Sequence, residues 1–180
     1  MNAPHDPLLL LRDIERRSME RARGLPLREE QRAEWRGVGF HLLGQKLVAS
    51  MDEVHEILSY PSVARVPGTH PWVRGIANVR GNLLPIMDLQ GFLKHGSLTP
   101  LEDSTRVLVI TEGELSVGLV VPEVLGMQHF HEEDQTGEWP AMEKALLPFI
   151  QSVYQRDGEY WSVFSMRKLA STPMFYRVAV

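Results

Sequence analysis

Two stretches of this chain can be laid over each other without a gap, and that match narrows the possible folds more than any other feature. Trp72–Phe92, WVRGIANVRGNLLPIMDLQGF, lies over Phe149–Leu169, FIQSVYQRDGEYWSVFSMRKL. Trp72 meets Phe149, Val73 meets Ile150, Ile76 meets Val153, Ile86 meets Val163 and Leu89 meets Met166, while Gly81 meets Gly158. Upstream, Val48–Val54 (VASMDEV) lies over Gly118–Val124 (GLVVPEV) in the same order. Apolar positions fall on apolar positions, and the turn glycine falls on the turn glycine. The pattern reads as an internal duplication of a strand, tight turn, strand and closing helical turn.

In the first copy the strands are expected at Gly75–Val79 and Leu83–Met87, with the turn at Arg80-Gly81. Gly81 supplies the positive φ of a two-residue hairpin turn at no steric cost. Pro85 has no N–H for a ladder, so the second strand is expected at a sheet edge or a bulge. Asp88 precedes Leu89–Leu93 and reads as a helix N-cap. Arg80 is left exposed at the lip of a rigid hairpin. Where the first copy has Gly75, Arg80 and Asp88, the second has Ser152, Asp157 and Ser165. Positions that keep their apolar pattern serve folding; positions that diverge point to function in the first lobe.

The rest of the chain follows the same period. Asp6-Pro7 opens a helix over about 7–23, stopped by Gly24 and Pro26, and Leu27–Trp35 is expected to continue as a short second helix. Beyond Trp35 the alternation becomes strand-like at Val38–Leu42, Leu47–Met51, Val54–Leu58, Val63–Val66, Arg106–Thr111, Leu115–Val121 and Val124–Phe130. His131–Pro140 reads as an acidic surface loop and Met142–Leu147 as a helical turn. Short strands punctuated by Gly and Pro, without crossover helices, define an all-β chain.

Composition removes several function classes. The net charge of −4 argues against a nucleic-acid partner. There is no cysteine for a disulfide, thiolate ligand or thiol nucleophile. No apolar run reaches membrane-spanning length, and Leu8–Leu11 lacks the basic flank of a secretory signal. His129 and His131 share a strand face beside Glu132 and Glu133, which suggests a metal-assisted hydrolase using His129, His131 and Asp88 as the alternative reading. No third spaced ligand accompanies the histidines, and Asp52, Asp88 and Glu123 follow strands where carboxylates cap turns. No nucleophile elbow, phosphate loop or dinucleotide fingerprint is present. The residues therefore point to a module without metal, cofactor or catalysis, which binds other proteins.

GIANVRGNLLPIMDL resembles the signature of CheW-like domains, with N-x-R-G and P-x-x-D-L at the family's spacing. EVHEIL, ARVPGTHPWVRG and LVITEGELSVGLVVPEVLGM resemble the family's flanking elements. The resemblance implies two SH3-like five-stranded β-barrel lobes behind an N-terminal helical extension of residues 1–34. The CheW-like domain would then cover 35–176, with lobe one at about 35–93, lobe two at about 104–170 and strand exchange between them. It implies a cytoplasmic coupling adaptor that joins a chemoreceptor tip to a CheA-type histidine kinase without entering the membrane. Its N-terminus, LLLLRDIERRSMERARGLP, resembles members that serve type IV pili and twitching motility. By motif position the receptor groove would hold Val54, Glu56, Ile57, Gly75 and Arg80, and kinase contact would involve Val63. Pro122 and Ser165 depart from the family pattern, and both are expected to change local capping in the second lobe.

Overall fold

A computed structural model describes residues 34–113 and 115–177. Among these residues the chain is mostly β. The strands are β1 (Glu34–Leu42), β2 (Gln45–Ser50), β3 (Glu56–Ser59), β4 (Val63–Ala64), β5 (Val73–Val79) and β6 (Asn82–Asp88), then β7 (Arg106–Glu112), β8 (Leu115–Val121), β9 (Glu123–His131), β10 (Gln135–Thr136), β11 (Ile150–Arg156) and β12 (Glu159–Phe164). Short helices α1 (Leu89–Leu93), α2 (Met166–Ala170) and α3 (Pro173–Tyr176) close the copies and the C-terminal side. The expected helix over 7–23 lies outside the described residues. Glu34 and Trp35, placed at the end of a second helix by their charged neighbours, instead begin β1. There Trp35 stacks on Tyr154 with ring centroids 5.7 Å apart. The acidic stretch after His131 contains a 3-10 turn at Glu132–Asp134 and the two-residue strand β10, which is too short to leave a period.

The strands form two six-stranded sheets, ordered β3-β7-β8-β6-β5-β4 and β9-β1-β2-β12-β11-β10. Written this way, the orders superimpose. Each copy runs hairpin, two short or bent strands, hairpin, so β1–β6 is repeated as β7–β12. Each copy sends its first hairpin into the other copy's sheet. Neither sheet is therefore confined to one stretch of chain, such as 35–93 or 104–170. The duplication extends to the registers. Ile86 pairs in parallel with Gly118, and its equivalent Val163 pairs in parallel with Val48. Arg80 and Gly81 have φ of 52° and 87°; Asp157 and Gly158 have 53° and 77°. The pairing slips between Val73 and Gly75, and again at the same place between Ile150 and Ser152.

Pro85 does not sit at a sheet edge. β6 lies between β5 and β8, but its register with β8 begins only at Ile86. Proline thus occupies the part of an interior strand that has not yet met its second neighbour, where a missing N–H costs little. One large core, including Phe40, Leu42, Leu47, Leu108, Leu119 and Phe164, joins faces of both sheets. Each sheet also wraps a smaller core: Ala77, Leu84, Ile86, Val107, Val109 and Val120 in one, and an aromatic set around Phe130, Tyr154 and Trp161 in the other. Burial of this apolar surface is the main stabilising term.

Candidate functional site

The first-copy hairpin presents its lip through backbone geometry. Arg80 takes the left-handed conformation, φ 52°, which a non-glycine residue adopts at a cost. Asn78 Oδ1 accepts the Gly81 N–H at 2.8 Å and locks the turn. The Arg80 side chain is 77% exposed, and its Nη2 lies 2.5 Å from Glu56 Oε1. Arg80 is thus not solitary: β3 supplies a carboxylate that aims the guanidinium. An exposed pair of this kind is weak, about 0–1 kcal/mol, so a partner's carboxylate or carbonyl can compete for the fork. Ile57 and Leu83, 41% and 74% exposed, add apolar surface on the same two elements. Leu83 was not singled out from sequence; its place opposite Asn78, one residue out of phase with buried Leu84, was the available signal.

Two of the expected groove residues do not face outward. Val54 is buried in the core shared by the sheets, so the apolar floor expected from Val54 and Ile57 reduces to Ile57. Gly75 is buried with φ 137°, and a Cβ there would lie 2.1 Å from the Ala64 carbonyl oxygen. Its lack of a side chain lets β4 cross β5 closely. Val63 is half-buried in β4, pairs with Ala77 and packs on the small core of its sheet. Beside it, burial pushes the Tyr60 phenol above its ordinary pKa.

Beneath the hairpin lies a polar node that sequence reading found only in part. Asp88 is fully buried and caps α1, accepting the Gly91 N–H at 2.7 Å. It also accepts the Thr99 N–H at 3.0 Å and the Thr99 hydroxyl at 3.0 Å. Arg74 donates to it through Nε at 3.1 Å and Nη2 at 2.6 Å. Arg74 is the extra residue of the β5 bulge, and a bulge re-aims a side chain. Ser165 is the matching cap of α2: its Oγ accepts the Lys168 N–H at 3.2 Å, and Glu53 accepts from Ser165 and from Met166 N. The expected change of capping at Ser165 is thus a serine supported by a carboxylate from β2's end. Pro122 offers its carbonyl to Ser104 at 3.1 Å.

The residues of the hydrolase alternative are not brought together. Asp88 is spent on the cap in one sheet, while His129 stands on β9 of the other and pairs with Glu34 at 2.6 Å. Arg36, then His129, hold the Glu34 carboxyl below its ordinary pKa. Among the described residues no group of three or more His, Cys, Asp or Glu is gathered as for a metal ion.

Two duplicated sheets on one core, with a charged lip and two exposed apolar side chains, define a β module suited to holding protein partners. A family model for the CheW-like domain matches residues 36–174, and the chain belongs to that family of chemosensory coupling proteins. It is 45% identical to Protein PilI of Pseudomonas aeruginosa over 180 residues, the whole of both chains. It is 31% identical over 126 residues to Chemotaxis protein CheW of Bacillus subtilis, covering 69% of this chain and 79% of that one. The crystal structure of scaffolding protein TtCheW from Thermoanaerobacter tengcongensis matches with a TM-score of 0.64 at 19% identity, over 80% of this chain and 97% of that one. That last likeness bears on the fold.

Proposed function

We propose that this chain is a non-catalytic cytoplasmic adaptor that couples the cytoplasmic tip of a chemoreceptor to a CheA-type histidine kinase. The pathway is the one controlling type IV pili and twitching motility. The observation that carries the reading is the end-to-end 45% identity to Protein PilI. The geometry supplies a mechanism. Each sheet, curled as an SH3-like barrel, acts as a stiff block, and the first presents Arg80, Glu56 and Ile57 to a receptor helix. Val54 and Gly75 act from beneath by holding β3 and β4 in place, and Val63 lies on the kinase side. The guanidinium meets carboxylates or carbonyls of the helix, while Ile57 and Leu83 shield the contact from water.

The test is a charge swap. Arg80→Glu is expected to fold and to lose receptor capture in a pull-down with receptor and kinase. Arg80→Glu with Glu56→Arg restores the ion pair with its polarity reversed. If Arg80 touches the receptor, the double variant stays uncoupled. Recovery of coupling by the double variant would show that the pair serves only the hairpin, and the assigned receptor surface would fall.

A further inference from the structure

We infer that the cleft beside β4 is a docking site for an extended, carboxylate-bearing segment of a partner protein. The cleft, ≈ 470 Å³, is lined among others by Arg65, Val66, Pro67, His70, Arg74 and Leu98. No Asp or Glu is among its described lining residues, although the chain as a whole carries a net charge of −4. Arg74 is neutralised by Asp88 at the inner wall. Arg65 is exposed and makes no ion pair with another described residue. His70 is stacked on Trp72, centroids 4.2 Å apart and planes within 9°. A cation and an oriented imidazole thus face an opening in which no described residue offers them an anion.

The backbone says what shape of anion fits. Among the described residues β4 is the last strand of its sheet and pairs with β5 alone, so no described strand covers its other edge, and it leads directly into Arg65. An open edge accepts an added strand. In such a strand alternate side chains would rest on Val66 and Leu98, and those nearest Arg65 and His70 would be carboxylates held by charge-assisted hydrogen bonds. The rim is stiff: Pro67 and Pro71 flank it, and the Thr69 hydroxyl donates to the Val66 carbonyl at 2.9 Å. Little ordering cost is left for binding to meet.

This inference goes beyond receptor coupling at the Arg80 lip and does not rest on it. The test uses the full chain and a fluorescein-labelled peptide of alternating Val and Glu, followed by anisotropy at low salt. Saturable binding is expected, falling as salt rises. Arg65→Glu should weaken it by about tenfold or more, and Arg65→Ala by less. Lys144→Glu, a same-sign change outside the cleft, should leave it unchanged. Thermal melts check that each variant is folded, and Arg65→Ala decides if Arg65→Glu is not. Equal binding of a Val–Lys peptide, wild-type affinity in folded Arg65→Ala, or no binding at all would overturn the proposal. Displacement of the peptide by citrate at equal affinity would assign the cleft to small anions and overturn it too.

Discussion

At Arg80 stability and the proposed receptor contact pull apart. Its left-handed backbone is a conformation that Asn and Gly adopt more readily than Arg. Its ion pair with Glu56 is exposed and returns little. Arg80→Asn should therefore raise stability by about 0.5 kcal/mol in urea unfolding, while removing receptor capture. A loss of stability instead would mean that the guanidinium holds the hairpin together. The same turn in the second copy carries Asp157, 91% exposed, and so offers a partner the opposite charge. The sequence placed Arg80 at an exposed turn, where the structure has it, because a two-residue turn is set by its own residues. It misjudged Val54, because whether a strand-end valine faces core or water depends on what packs over it.

At the level of elements, the two closing helices make a matched pair with unequal supports. α1 is capped by a carboxylate buried with Arg74 and Thr99, α2 by a serine that leans on Glu53. Asp88→Ala would leave Arg74 without its anion in a partly buried site and should cost about 3–5 kcal/mol. Ser165→Ala removes one capping acceptor and should cost about 1 kcal/mol. Urea unfolding of the two variants measures the difference directly, and equal losses would contradict the account of the node. The cap at Asp88 was legible from a carboxylate standing just before an apolar helical turn. Its partner was not. Counting back from the Arg80-Gly81 turn would pair residues whose numbers sum to 161, as Ile76 does with Pro85. The bulge breaks that count at Arg74, and no local preference announces a bulge.

At the scale of the whole molecule, hairpin exchange ties the copies together. Each sheet takes strands from both halves of the chain, and the largest core draws side chains from both sheets. Fragments 34–104 and 105–177 should each lack strand structure by circular dichroism when alone, since each holds only part of either sheet, and should gain it on mixing. A fragment that folded by itself would show the exchange to be dispensable. Alternation of apolar residues, turn glycines, proline and the capping carboxylate let the sequence by itself determine a mostly β architecture, its duplication and most strand positions among the described residues, because those preferences act over a few neighbouring residues. Only the tertiary structure decided that the first hairpin of each copy joins the other's sheet, that Val54 and Gly75 lie beneath the surface, that Arg74 turns in to Asp88 and that Glu56 steadies Arg80. Those outcomes depend on contacts between segments far apart in the chain, and their energies are set by packing and shared burial that no local pattern encodes.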